Sequence, residues 1–257
     1  MPTDPWKPEQ YERFREERSR PFFDLLSLVR PRPGMRVVDL GCGTGELTRV
    51  LHERIGARET LGIDSSPSML ARTAAVAGGG LRFERADVAA FAGRDYDLVF
   101  SNAALHWVAD HEALFARLTG ALAAGGQLAV QMPANFDHPS HVVAAEIRRD
   151  PEFHDALEAS TEAARNVLPP ERYAALLERL GYPEQHVRLA VYGHRLASRD
   201  EVVEWVKGTL LTETERCLGP DAFAAFLARY RERLLARLPD ERPYFFTFKR
   251  ILLWARH

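Results

Sequence analysis

A chain of 257 residues with 46% hydrophobic content has enough apolar material for a sizeable core, one domain with embellishments rather than two independent ones. Its formal charge of −2 gives no support to electrostatic nucleic-acid binding, which needs a basic face, and its two cysteines, Cys42 and Cys217, make neither a zinc pattern nor a disulfide framework. The N-terminal sequence is charged, and the uncharged stretch from Leu118 to Phe136 is interrupted by Gly, Gln, Asn and Pro, so the expectation is a cytoplasmic protein outside the membrane.

In chain order, Pro8 to Val29 reads as an amphipathic helical segment broken at or near Pro21, an N-terminal lid over about 8–30. Pro31-Arg32-Pro33-Gly34 links it to Met35–Leu40, a short β-branched run suited to a strand buried on both faces. That strand meets Gly41-Cys42-Gly43-Thr44-Gly45, and from Glu46 the spacing turns helical, with Leu47, Val50 and Leu51 on one side. Glycines on alternate positions let the backbone approach a ligand and adopt positive φ. Cys42 reads as a small loop filler, and no metal ligands are expected.

Further strands are predicted at Thr60–Asp64, Leu81–Ala86, Asp95–Ser101 and Gly126–Met132, with helices from Pro67, capped by Ser66, and from about Asp110. This alternation predicts right-handed βαβ crossovers and a parallel sheet. After Met132 come helical segments at His138–Ala164 and about Pro169–Leu180, then a strand at Gln185–Leu196. Ser198-Arg199-Asp200-Glu201 reads as a capping box for a helix carrying Val202, Val203, Trp205 and Val206. A helix after Pro220 places Phe223, Phe226, Leu227, Tyr230 and Leu234 together, and Tyr244–Ala255 reads as the last strand.

The glycine loop selects among cofactors. A phosphate loop needs Lys and Ser or Thr after its last glycine, where this chain has Glu46-Leu47. A dinucleotide fingerprint needs a third glycine where Glu46 stands, and an anionic side chain there disfavours a pyrophosphate. S-adenosylmethionine is cationic and carries no phosphate, so Asp39 suits its ammonium, Asp64 its ribose hydroxyls and Asp87 its adenine amine. Asn102 ends the fourth strand. Four successive apolar strands with polar ends fit ligands bound outside the carboxyl ends of a parallel sheet.

The ordered set Asp39-Leu40-Gly41-Cys42-Gly43-Thr44-Gly45, Gly62-Ile63-Asp64-Ser65-Ser66-Pro67-Ser68-Met69, Ala86-Asp87 and Leu122–Leu128 resembles the motifs of class I S-adenosylmethionine-dependent methyltransferases. The resemblance implies an α/β, Rossmann-like, seven-stranded and mostly parallel sheet, helices on both faces and an antiparallel end made by the last two strands. Helical cap segments at about 138–181 and 198–238 would cover the substrate. The cofactor set it implies is Asp39, Gly41, Gly43, Asp64, Ser65, Met69, Asp87, Val88 and Asn102, with core packing as the alternative for Met69.

Trp6–Tyr11, Glu17–Pro21, Asn102–Trp107, Val130–Asn135 and Ser140-His141 further resemble the trans-aconitate 2-methyltransferases, as do Glu204–Leu210 and Arg229-Tyr230. The segment Arg148–Pro169 is acidic and departs from that pattern. The resemblance implies esterification of one carboxylate of a small polycarboxylate, an ionised nucleophile that needs no general base. Cationic partners for it are Arg18 and Arg20, with Tyr11 sealing the methionine end or packing under its helix. His106 and Trp107 stand near the transferring methyl, Trp107 alternatively as a core anchor; Gln131 and Asn135 are neutral donors. His141, Trp205, Lys207, Arg229 and Tyr230 are lesser candidates, with helix packing the stronger role for Trp205 and Tyr230. The competing functions are a methyltransferase for another small acid or secondary metabolite, a non-catalytic S-adenosylmethionine-binding protein and, more distantly, a dehydrogenase.

Overall fold

A computed structural model of the chain describes residues 15–158 and 166–257, with side chains from residue 19 onward in the first helix. Where the composition suggests one domain, the contacts divide the chain into two compact units, each with its own core. Of the described residues, the sheet unit holds 16–134, 166–190 and 250–257, and the helical unit holds Arg15, 135–158 and 191–249.

Seven strands form one sheet in the order β3-β2-β1-β4-β5-β7-β6. They are β1 (Arg36–Leu40), β2 (Glu59–Asp64), β3 (Leu81–Arg85), β4 (Tyr96–Asn102), β5 (Leu122–Pro133), β6 (Glu184–Leu196) and β7 (Tyr244–Arg256). β1 pairs in parallel with β2 and β4, β2 with β3, and β4 with β5. β7 runs antiparallel to β5, from Pro133 opposite Arg250 to Gln127 opposite Arg256, as expected for the end of such a sheet. The order reverses between β1 and β4, and the carboxyl ends of these two strands flank that switch point.

Alternation along the strands decides the two faces. Val38, Leu40, Val99, Leu128, Val130 and Met132 enter an aliphatic core with Leu114, Phe115 and Leu118. Phe100 points the other way, where Phe22 of helix α1 (Arg15–Leu26) meets it edge-on at 5.4 Å. α1 passes through Pro21 without the expected break. Proline removes one backbone donor, and the burial of Phe22 and Leu25 on the sheet outweighs that loss.

Helix α2 (Glu46–Ile55) follows the glycine loop; its buried stripe is Thr48, Leu51 and Ile55 rather than Leu47, Val50 and Leu51. Helix α3 (Pro67–Leu70) is a single turn, with Ser66 Oγ accepting from the Met69 amide as its cap. Helix α4 (His111–Thr119) begins at Asp110, whose side chain accepts from Ala113 N–H.

The helical stretch expected over His138–Ala164 is two helices as far as it is described, α5 (Pro139–Ile147) and α6 (Pro151–Leu157), because Pro151 starts a new helix at its first turn. Helix α7 (Pro170–Arg179), expected in the cap, instead contributes Tyr173, Leu176 and Leu177 to the core of the sheet unit. The capping box before α8 (Asp200–Lys207) is half formed: Glu201 Oε2 accepts from Ala197 N–H, and Ser198 Oγ bonds Asp200 instead of a helix amide. The last helix, α9 (Thr212–Arg237), is interrupted at Gly219 just before Pro220.

The core of the helical unit is aromatic. Phe153, Trp205, Phe223, Phe226, Tyr230, Tyr244, Phe246 and Phe248 gather with Val143, Ile147 and Val203. No described helix is long and apolar enough to cross a membrane.

Candidate active site

The loop between β1 and α2 is shaped by two glycines. Gly41 has φ +82°, and a Cβ there would lie 2.2 Å from the Ala104 Cβ, so any side chain collides with the segment leaving β4. Gly43 has φ +56° and open space where its Cβ would stand, a cradle that a ligand can enter.

Two carboxylates bracket this cradle. Asp64, ending β2, accepts the Gly43 amide on Oδ2 at 2.9 Å and the Ser66 amide on Oδ1 at 2.8 Å. A carboxylate has about four acceptor sites, so these bonds aim it without using it up. Asp39, near the end of β1, is buried and accepts the Thr48 hydroxyl at 2.6 Å. Burial pushes its pKa up to about 7; the Thr48 bond opposes this and the Asp64 charge adds to it. A buried carboxylate in that condition suits a cationic ligand group beside it, because the cation would restore its charge. Burial also raises the Cys42 thiol, with the Asp39 and Asp64 charges adding to it, in keeping with a loop filler.

The segment after β4 is held from several sides. Ser101 Oγ donates to Leu40 O at 2.7 Å, tying β4 to β1 at the switch point. Ala103 has φ +56°, which costs about 1–3 kcal/mol outside glycine. Its amide donates to Gln131 O at 2.9 Å, which helps hold it there. The chain then makes a single helical turn, Leu105–Trp107, with His106 buried and Trp107 half-buried. His111 pins that turn, with Nε2 3.0 Å from Leu105 O and Nδ1 2.5 Å from Tyr173 Oη. Tyr173 Oη also accepts from Leu168 N–H at 3.1 Å, and Asn166 Nδ2 donates to His106 O at 3.0 Å. Burial lowers the His111 pKa and raises that of Tyr173, so both are neutral at pH 7.

The register places Asn102 beside Gln131 across β4 and β5. Gln131 is fully buried, and neither its Oε1 nor its Nε2 has a hydrogen-bond partner; Asn102 Oδ1 is buried in the same condition.

The structure thus brings Asp39, Gly41, Gly43, Asp64, Asn102, His106, Trp107 and Gln131 to the carboxyl ends of β1, β2, β4 and β5. Ser65 is exposed beside Asp64, Met69 is buried on α3, and Asp87 is exposed with Oδ1 accepting the Ala89 amide at the turn Val88–Ala90. Arg20 is exposed on α1; Tyr11 and the side chain of Arg18 lie outside the described residues.

The remaining candidates belong to the helical unit. Asn135 Oδ1 accepts from Lys249 N–H at 3.0 Å. His141 Nδ1 lies 3.0 Å from Ser140 Oγ, and Tyr230 Oη donates to Ser140 O at 2.9 Å. Trp205 packs on His194, Arg229 pairs with Asp150 and Glu152, and Lys207 is half-buried at the end of α8. Thr48, His111, Asn166 and Tyr173 were missed by sequence reasoning; only Thr48, nine residues after Asp39, lies within reach of a local pattern.

Residues 37–126 match the model of a methyltransferase domain family. The chain is 43% identical to the trans-aconitate 2-methyltransferase of Deinococcus radiodurans over 256 residues, covering 97% of each chain. It is 40% identical to the trans-aconitate 2-methyltransferase of Streptomyces avermitilis, covering 97% of this chain and 96% of that one. Among solved structures it resembles the YcgJ protein of Bacillus subtilis, with a TM-score of 0.60, 14% identity and coverage of 92% and 97% of the two chains. A further likeness, with a TM-score of 0.54 and 16% identity, is to phosphoethanolamine N-methyltransferase 2 of Haemonchus contortus in complex with S-adenosyl-L-methionine, covering 93% of this chain and 52% of that one.

Proposed function

The chain belongs to the trans-aconitate 2-methyltransferase family, and we propose that it methylates one carboxylate of trans-aconitate or a similar small polycarboxylate, giving a monomethyl ester. The cofactor is S-adenosylmethionine. The observation that carries this reading is the buried Asp39 carboxyl beside the open Gly43 cradle, with Asp64 held by two amides at its rim. Those groups fit a ligand that has an ammonium at one end and a ribose diol in the middle.

When bound, S-adenosylmethionine supplies a methyl group activated by its sulfonium for in-line transfer. The chain's own part is to bind, orient and exclude water, and orientation alone is worth roughly 7–11 kcal/mol. Asp39 faces the ammonium and becomes fully ionised beside it. Asp64 keeps acceptor sites for the two ribose hydroxyls while its loop bonds hold it still. Asp87 takes the adenine amine through the carboxylate oxygen not used by the Ala89 amide, and Val88, Ser65 and Met69 flank the base. Asn102, ending β4 across the switch point from Asp39, stands between the methionine end and the acceptor.

The acceptor is ionised at neutral pH, so it needs correct placement rather than a base. The turn carrying His106 and Trp107 meets it near the methyl, with both neighbouring carbonyls anchored by His111 and Asn166. Arg20 supplies charge for a polyanion, and Arg18 and Tyr11 are assigned on the family pattern. Asn135 is assigned here on the family pattern.

The test is methyl transfer from S-adenosylmethionine to trans-aconitate, cis-aconitate, isocitrate and citrate, with mass spectrometry of the products. A monomethyl ester formed preferentially from trans-aconitate is the expected result. Cofactor binding without turnover of any acid would refute the acceptor class.

A further inference from the structure

We propose that Gln131 orients the reacting carboxylate, its side-chain Nε2 donating to the oxygen that does not attack, with Asn102 closing the same subsite. The inference rests on the carboxylate-methylating reading above.

Two buried glutamines on one strand make the case. Gln127 and Gln131 are four residues apart on β5, so both project from the face opposite Leu128, Val130 and Met132. Gln127 is fully used by the fold: Oε1 accepts from Arg30 N–H and Trp254 Nε1–H, both at 2.9 Å, and Nε2 donates to Arg30 O at 2.8 Å. Gln131 is equally buried, and among the described residues neither end of its amide has a hydrogen-bond partner. Burying a polar side chain unpaired is costly, and native structures do so where a ligand, an ion or an ordered water completes it. Asn102 Oδ1, directly across the register, shares the condition. Together they form a patch of unpaired amide at the carboxyl ends of β4 and β5.

The position selects the ligand. Asp39 and Asp64 lie on the β1–β2 side of the switch point, and Gln131 lies one strand, about 4.8 Å, beyond Asn102 on the other side. With Asp39 and Asp64 given to the cofactor by the proposed function, the β5 side is left to the acceptor. The chemistry selects the donor. As the O–CH3 bond forms and the S–CH3 bond breaks, its electron pair returning to sulfur, the carboxylate loses its negative charge, so a guanidinium fork would stabilise the ground state more than the transition state. A single neutral N–H fixes the carboxylate plane and leaves the second oxygen free to attack. Gln131 Oε1 repels a carboxylate, so the anion docks on the Nε2 edge alone.

The test is Gln131→Met, close in size and without a donor, made alongside Gln131→Leu. The ligand-free melting temperature should hold or rise, because an unpaired amide has been removed. Affinity for S-adenosylhomocysteine should stay within about twofold, and kcat/KM for trans-aconitate should fall roughly 10–100-fold, the range for one hydrogen bond to a charged group. In wild-type protein carrying S-adenosylhomocysteine, the Gln131 side-chain ¹⁵N–¹H signals should shift on adding trans-aconitate. Turnover within about twofold of wild type overturns the proposal. Collapse of both variants overturns it too, by showing that the amide is structural. A parallel loss of S-adenosylhomocysteine affinity would reassign Gln131 to the cofactor. If wild type esterifies no acid, the underlying reading fails and this inference falls with it; if wild type does and the variants match it, only this inference fails.

Discussion

The two units of the chain are built for different purposes, and their buried polar groups say so. In the sheet unit the core is aliphatic, and the carboxyl ends of its strands carry a near-neutral aspartic acid, unpaired amides and a strained alanine. In the helical unit the core is richer in aromatics, and several charged residues are paired with one another: Arg229 and Arg233 both reach Asp150, Arg237 holds Glu146, and Lys249 pairs with Asp137. Among the described residues the buried amides without partners gather mostly at the ends of β4 and β5 in the sheet unit, against Asn135 Nδ2 alone in the helical unit, and that gathering marks where a ligand completes the structure. Four changes would break or sharpen that contrast.

The largest effect should come from Gly41→Ala. The new Cβ meets Ala104 at 2.2 Å while φ stays at +82°, so overpacking and backbone strain combine. A cost of about 3 kcal/mol or more is expected, roughly a hundredfold or greater loss of cofactor affinity by calorimetry. Adding Ala104→Gly should restore part of it by removing the clash and leaving the φ strain. Full activity in the single variant would mean that the loop is not the binding element.

Asp39→Asn tests whether the sheet unit trades stability for function. In the ligand-free protein the Asp39 pKa is pushed up to about 7, against 3.8 for the unburied group. The folded state therefore holds a proton that the unfolded chain releases, and wild-type stability falls as pH rises from about 3.8 to 7. Above that the deficit is constant, up to about 4 kcal/mol. The asparagine variant should accordingly melt higher than wild type at pH 8, since its Oδ1 can still accept from Thr48. Binding should move the opposite way. Wild-type cofactor affinity should climb with pH up to about 7 as Asp39 ionises, then level off, whereas the variant should bind weakly with no such climb. A variant that melts lower at pH 8, or keeps the climb, contradicts the role.

The helical unit should show its own pH signature. His141 is buried with a pKa of about 3, lowered by burial and by the neighbouring His138, against 6.5 for the unburied group. Below pH 6.5 the unfolded chain takes up a proton that the folded one refuses, so stability falls by about 1.4 kcal/mol per pH unit. Amide-exchange protection in α5 and α9 should drop roughly fifteenfold between pH 6.5 and 5. His111 pushes the sheet unit the same way, and burial lowers His138 beside His141, so His141→Phe should lessen the slope in α5 and α9, leaving the part that His138 carries, with α4 unchanged. An unchanged profile in α5 and α9 would assign the acid sensitivity elsewhere.

Much of the sheet unit is legible in the sequence because each strand is an apolar run closed by a polar residue, and because Ser66-Pro67 announces a helix start that the Ser66 Oγ bond realises. What escapes sequence reasoning depends on partners far along the chain. Tyr173 reads as part of a cap helix until His111, sixty-two residues away, draws it into the sheet core. Gln127 and Gln131 have the same residue type on the same strand face, and only Arg30 and Trp254 tell the structural one from the unpaired one. Ser198 and Glu201 have the right spacing for a capping box, yet Asp200 captures the serine hydroxyl first.

The smallest expected effect is the one the sequence pattern makes most tempting. Arg20 lies on α1 just before Pro21 and is exposed, so a contact with a polyanion there is made in water. Exposed ion pairs contribute about 0.2–1 kcal/mol, so Arg20→Ala should raise KM for a tricarboxylate only about two- to fivefold and leave cofactor affinity alone. The loss should shrink as ionic strength rises, because salt screens exposed charges over about 8–10 Å and barely touches a buried amide contact. Gln131→Met should show the reverse, a larger loss that salt does not relieve. If instead the Arg20 variant loses turnover by orders of magnitude at any ionic strength, α1 must bring that guanidinium out of water over the bound acid. The unmet demand at the ends of β4 and β5 would then be answered by charge as well as by amides.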